Sequence, residues 1–260
     1  MKNRGIEVLR NSLLLVTVGL FSLPLYYLLQ TSLQNKGFGN YYNALTKINL
    51  GQNMINSGIV TVSTVLLVIA VALPAAFAFS KITFSGKNIL FLILLMSLAI
   101  PGISIAVPVV QIVKGLGWTN NYLALIFPYT ALLSPFALVL MRGFMDQLPK
   151  ELLESALVDG CNVYQAFFRI YAPLAKPVVM IVTVFTFLGS WNEFLFAKLF
   201  MRKESMQMVT TIPIKFQVNF YTDIPGLFAA LVLIQLPLLI IYILFQRVFK
   251  EGLTAGAVKS

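Results

Sequence analysis

Few side chains in this sequence can do chemistry, and their spacing narrows the options quickly. The 260 residues contain no His and one Cys, Cys161. Imidazole metal ligands, Ser-His and Cys-His nucleophile pairs, the H-E-x-x-H zinc motif and an internal disulfide are all excluded. A phosphate cradle would read G-x-x-x-x-G-K-[ST]. The only Gly-Lys pair, Gly86-Lys87, has Lys81 where the first glycine belongs and Asn88 where Ser or Thr belongs, so no nucleotide is expected on this chain. Glu193 is the one carboxylate inside a long apolar run. It has two readings: a hydrogen-bonded helix end shared with Trp191 and Asn192, or, with the same two residues, an outer gate or lining of a path through the membrane. Asp146, Asp159 and Asp223 fall outside every such run, which leaves no intramembrane aspartyl pair.

These residues must be positioned by elements that water does not surround. Hydrophobic residues make up 58% of the chain and charged residues 11%, against about 45–50% and about 25% in a soluble domain. A bilayer span needs about 20 mostly apolar residues. The distances between successive charges place spans near 11–30, 57–80, 88–113, 122–141, 177–197 and 225–246. The expected fold is therefore all-α, a polytopic bundle of six transmembrane helices in a single domain over 1–260. The first run lacks an A-x-A-like cleavage site and reads as an uncleaved helix rather than a signal peptide. The nineteen Lys and Arg, which set a net charge of +10, are scattered between apolar runs, so no nucleic-acid partner is expected. With the N-terminus inside, twelve of the nineteen fall on inner segments and seven on outer ones, which places both termini in the cytoplasm.

One inner segment, 142–176, has the polarity of a soluble surface, with four acidic and four basic residues. It predicts two short helices separated by Gly160. Pro149 suits a first helical turn, and Leu152, Leu153, Ala156 and Leu157 share an apolar face opposite Glu151 and Glu154. Asn162 and Gln165 have the spacing of a capping pair, and Pro173 and Pro177 close the second helix and open the fifth span. Such a segment either lies on lipid headgroups or fits a groove on a partner protein, and its acidic residues argue for the groove.

Glu154-Ser155-Ala156, then Gly160, Ile170 and Pro173, resembles the E-A-A, x3, G, x9, I-x-L-P signature of the membrane subunits of bacterial ABC importers. Ser155 and Ala172 depart from it by small substitutions. Asn56-Ser57, Asp159-Gly160, Trp191-Asn192-Glu193-Phe194, Gln246-Arg247 and the tail from Gly252 to Lys259 are similar to the shorter, six-span partner in the maltose-type sugar-import permeases. The resemblance implies a coupling helix around Glu151, Leu152, Leu153, Glu154, Ser155, Ala156, Leu157, Asp159 and Gly160 that docks on a cytoplasmic ATPase. It also implies a second ATPase contact through Gly252, Ala255, Gly256 and Lys259 in the tail 247–260. The implied partners are a second permease chain in a heterodimer, an ATPase dimer that binds ATP and Mg, an extracytoplasmic solute-binding protein that meets the loop 198–224, and a sugar. The implied location is the bacterial cytoplasmic membrane, and the chain itself is expected to be a transport subunit without enzyme activity or cofactor. Gln111, Asn120, Asn121, Tyr122 and Tyr129 are either sugar ligands or ordinary helix-end residues. An ion-coupled secondary transporter is the alternative, although it would favour an ionisable group at the midplane and internal repeats.

Overall fold

The computed structural model describes residues 4–218 and 221–257. Eleven helices organise them, in chain order α1 (Arg4–Ser32), α2 (Gly39–Lys47), α3 (Leu50–Lys81), α4 (Lys87–Ser97), α5 (Ala106–Gly115), α6 (Leu123–Gln147), α7 (Glu151–Val158), α8 (Val163–Leu174), α9 (Lys176–Trp191), α10 (Leu195–Phe200) and α11 (Ile224–Ala257). Short 3-10 and helical turns fill the link after α10, followed by a two-residue antiparallel pair, β1 (Gln217–Val218) and β2 (Tyr221–Thr222), with Gln217 opposite Thr222. Among the described residues the regular structure is thus all-helical apart from that pair. Among the described residues four helices are long and apolar enough to cross a membrane, and up to six spans result if each of two bent helix pairs counts as one.

Contacts divide the chain into two compact units, Met1–Gly51 with Ile212–Leu236, and Gln52–Thr211 with Pro237–Ser260. In the first unit, the ring of Tyr27 on α1 meets Phe228 on α11 edge to face at 5.9 Å. In the second, α6 is the central strut and packs along α9. Pro128 and Pro135 interrupt its backbone ladder. Thr130 Oγ1 and Ser134 Oγ donate back to the carbonyls of Ile126 and Thr130, at 2.7 and 2.6 Å, within the turns that the prolines loosen. One apolar cluster gathers around Phe77, Met141, Met145, Phe167 and Tyr171, and a second around Leu125, Tyr129, Phe196 and Phe200.

Two expected spans are not the straight helices their composition predicts. The run 88–113 breaks after Ser97, and its halves meet at 96°. Pro101 is extended there, at φ −62° and ψ 133°, and proline also drives its predecessor Ile100 out of helix. The run 177–197 stops at Trp191, and the chain re-enters helix only at Leu195. Here an acidic side chain captures the next backbone N–H groups, as described below. α11 continues without interruption to Ala257, into the expected tail over 247–260.

Candidate functional site

The polar segment after α6 folds as two short helices, and local rules account for its shape. Pro149 stands outside α7 rather than in its first turn: the helix opens at Glu151, behind Lys150. At the other end Gly160 adopts φ +82°. The Cys161 N–H donates to the Ala156 carbonyl at 2.9 Å and the Gly160 N–H to that of Leu157 at 3.1 Å, a Schellman closure that needs a left-handed residue at Gly160. The next helix starts with a reciprocal cap. Gln165 N–H donates to Asn162 Oδ1 at 2.8 Å, and Asn162 N–H donates to Gln165 Oε1 at 2.9 Å. Within α8, Phe167–Tyr171 forms a π-helical turn.

Much of the apolar face of α7 packs on its own chain. Leu152 and Leu153 pack on the cluster around Phe77 and Tyr171, and Ala156 is buried. An eight-residue helix has too little intrinsic stability to stand alone, so its best apolar residues are consumed in holding it to its own chain. The exposed side chains of this segment include Glu151, Glu154, Ser155, Asp159 and the apolar Leu157, Val158, Tyr164 and Phe168. Val158 is 87% exposed and Tyr164 78%. Of the expected docking leucines only Leu157 is on the free side. Ile170 packs partly against the same cluster, and Pro173 lies in the last turn of α8.

Two side chains outside the motif fix this segment to the spans. Lys81, the last residue of α3, donates from Nζ to the carbonyl of Leu148 at 2.6 Å, and its ammonium lies 5.9 Å from the centre of the Tyr171 ring. Tyr171 is fully buried, meets Phe77 of α3 at 4.9 Å with the rings tilted by 55°, and donates a long bond of 3.4 Å to the Pro149 carbonyl. The carbonyls of Leu148 and Pro149, two of the three residues that link α6 to α7, are thereby occupied. Beside them Ser80 Oγ donates to Asp146 Oδ1 at 2.6 Å, and Arg142, paired with Asp146 at 3.5 Å, covers the Phe91 ring at 3.8 Å. Sequence reasoning missed Lys81 and Tyr171. The available signal was a lone cation closing a long apolar run.

At the far end of α9, Trp191, Asn192 and Glu193 do not form one cluster. Trp191 is buried and stacks on Phe187 at 5.4 Å. Asn192 is exposed and donates to the Leu188 carbonyl at 3.0 Å. Glu193 caps α10 instead. Its carboxylate accepts the N–H groups of Phe196 at 3.0 and 3.1 Å and of Ala197 at 3.2 Å, together with the Tyr129 hydroxyl at 2.5 Å. A carboxylate suits this place, because the exposed amides and dipole of a helix N-terminus favour negative charge. The crevice beside it, between Ser57, Thr61, Ser190 and Trp191, is too narrow for a water molecule.

The other polar candidates are likewise spent on the chain itself. Tyr122 donates to Asn56 Oδ1 at 2.8 Å, Asn121 Oδ1 accepts the Leu123 N–H at 3.0 Å, and Asn120 Oδ1 accepts the N–H groups of Arg202 and Lys203, each at 2.7 Å. Buried Asn56 also donates to the carbonyls of Ser205 and Gln207 at 2.9 and 3.0 Å. Ser57 Oγ accepts the Val209 N–H at 3.0 Å, and Thr210 donates to the Glu193 carbonyl at 2.9 Å. The link 201–211 is therefore latched at several points. Gln111 is exposed. In the tail, Gly252, Ala255 and Gly256 lie on the helical backbone of α11, and Lys259 lies outside the described residues. Among the described residues no group of three or more Cys, Asp or Glu could hold a metal ion.

Comparison with known proteins gives this geometry a family context. Residues 69–254 match the family model described as binding-protein-dependent transport system inner membrane component. The diacetylchitobiose uptake system permease protein of Streptomyces coelicolor is 28% identical, over 98% of this chain and 89% of its own. The melibiose/raffinose/stachyose import permease protein of Bacillus subtilis is 30% identical, over 91% of both chains. The trehalose/maltose transport system permease protein of Thermococcus litoralis is 34% identical, over 81% of this chain and 74% of its own. Among solved structures, a chain of a bacterial ABC transporter involved in the import of the acidic polysaccharide alginate superposes with a TM-score of 0.80, at 22% identity, over 95% of this chain and 98% of that one. At that identity the likeness speaks for the fold.

Proposed function

Because the chain belongs to the family of binding-protein-dependent transport system inner membrane components, we propose how its parts serve an importer. It is a multi-pass cytoplasmic-membrane permease subunit of a carbohydrate-import ABC transporter. In our reading residues 1–260 form one permease domain with six spans, in which α4 with α5 makes the bent third span and both termini face the cytoplasm. A second permease chain completes the heterodimer and the alternating-access path. ATP and Mg are bound by a separate cytoplasmic ATPase dimer, and this chain carries no cofactor. An extracytoplasmic binding protein delivers the sugar and meets the outer loop 198–224.

The observation that carries the coupling role is the exposed edge of α7 and α8, held rigidly from behind. Glu151, Glu154, Ser155 and Asp159 surround Leu157, while Leu152, Leu153, Ala156 and Ile170 fasten the helices to α3 and α6. Closure of the ATPase dimer pulls on this edge. Gly160 and Pro173 set the angles of the two helices, and the link through Lys81 passes the displacement to the spans. Driving a two-state equilibrium from 1:99 to 99:1 takes about 5.5 kcal/mol, more than an exposed ion pair of about 0–1 kcal/mol supplies. The docking energy is therefore assigned to Leu157, Val158, Tyr164 and Phe168 burying against the ATPase, with the acids setting orientation. Gly252, Ala255, Gly256 and Lys259 form the second ATPase contact. Trp191, Asn192 and Glu193 serve the outer end by holding α9, α10 and the latched link in register rather than by binding sugar. The test is uptake by proteoliposomes containing the assembled complex, with single substitutions at Leu157 and Val158.

A further inference from the structure

α2 is built inside out for a helix in water. Its position within the first unit follows from the turn before it, where Asn35 and Gly37 take φ values of +64° and +55° and reverse the chain after α1. Asn40 then staples α2 to the end of α1. Its Nδ2 donates to the carbonyls of Ser32 and Gln34 at 2.9 and 2.8 Å, and the Tyr41 and Ser32 hydroxyls bond at 2.6 Å. The helix sits where α1 leaves its apolar run. Its buried side carries Asn40, 2% exposed, and Ala44, 1% exposed. Phe38, Tyr42 and Leu45 follow at helical spacing on the opposite side and are 81%, 68% and 47% exposed. A polar residue inside and an apolar stripe outside is the reverse of a water-facing surface helix.

We propose that α2 lies in the membrane–water interface and buries Phe38, Tyr42 and Leu45 among lipid headgroups and upper acyl chains. Its continuity with α1 favours lipid over protein as the occupant. The most apolar stretch of α1 is wholly unburied by the rest of the chain, and the staple ties α2 to the end of that helix. Tyr and Phe at the end of a span are the side chains that this layer favours, and exposed Lys36 in the preceding turn suits the headgroups. The proposal rests on the chain's spanning a membrane and is independent of how α7 couples.

Nitroxide labels on single cysteines test it, in the full chain carrying Cys161→Ser. The sites are Phe38→Cys, Tyr42→Cys and Leu45→Cys, with Asn35→Cys in the exposed turn as reference. In nanodiscs of phosphatidylethanolamine and phosphatidylglycerol, the three stripe labels are expected to collide several-fold more with oxygen than with a water-soluble nickel chelate, and the Asn35 label to show the reverse. The pattern should persist in the assembled complex. Chelate access at all three sites would place α2 in water and overturn the proposal. Immobilised labels that lose oxygen access only when partner subunits are present would assign the face to protein and overturn it equally.

Discussion

The ammonium of Lys81, at the end of α3, donates to the carbonyl of Leu148, 67 residues on, at 2.6 Å. That bond joins a long apolar helix to the three-residue link, Leu148 to Lys150, through which α6 passes into α7. It ties the link to α3, and the coupling role proposed for α7 and α8 needs such a tie.

Replacing Lys81 with Met keeps the apolar stem and removes the donor. A hydrogen bond from a charged group contributes about 1.5–3 kcal/mol, and partial exposure of Lys81 puts it at the lower end. The Lys81→Met protein is expected to assemble and hydrolyse ATP, with sugar transported per ATP falling several-fold. Tyr171→Phe removes only a long 3.4 Å bond and should keep that ratio near wild type. Paired measurements of uptake and phosphate release check both.

Gly160 has open space around its absent Cβ but a φ of +82°. Steric crowding is therefore not the issue, and backbone conformation is. A non-glycine residue in the left-handed region costs about 1–2 kcal/mol, least for Asn. Transport is expected to fall in the order Gly, Asn, Ala, Val at position 160 while membrane insertion is unchanged. Equal loss for Asn and Val would remove the left-handed closure from the account.

Glu193→Ala leaves the Tyr129 hydroxyl and the amides of Phe196 and Ala197 without an acceptor. Each buried orphan costs about 1–3 kcal/mol, so the loss should reach about 3 kcal/mol. Tyr129→Phe removes one partner and should cost about 1 kcal/mol. The double variant is expected to melt close to Glu193→Ala alone, because the two act on one bond. Thermal melting in detergent provides the comparison, and additive losses would show that the two residues act separately.

The exposed and packed apolar residues of α7 should behave oppositely if the segment docks as proposed. Leu157→Glu and Val158→Glu change exposed positions and should leave stability within about 0.5 kcal/mol while weakening ATPase binding. Leu153→Ala opens a half-packed site and should lower stability by about 1–2 kcal/mol before it affects docking. Co-purification with the ATPase subunit, set against the melting temperature, separates the two effects.

Charge spacing made the apolar helices legible, because each charge in hydrocarbon is costly and marks a boundary. Gly160 and the Asn162–Gln165 cap were equally readable, since left-handed closures and caps depend on a few adjacent residues. What escaped involved partners distant in the chain. Nothing near Glu193 announces Tyr129, and nothing near Leu148 announces Lys81. The packing of the α7 face was hidden for a related reason: periodicity identifies Leu152, Leu153, Ala156 and Leu157 as apolar, but the surrounding helices decide how much of that face packs on its own chain. The breaks at Pro101 and at Asn192 were hidden by a count that measures hydrophobicity and ignores backbone direction.

The central claim is that this chain is moved by a separate ATPase through the α7–α8 edge. The most direct test is sugar uptake by proteoliposomes containing the full complex, with binding protein and ATP, compared for the wild type and for Leu157→Glu with Val158→Glu. The account predicts ATP-dependent uptake that vanishes without the ATPase subunits and falls at least tenfold in the double variant. Uptake by this chain without the ATPase, driven by an ion gradient and indifferent to the two substitutions, would contradict it.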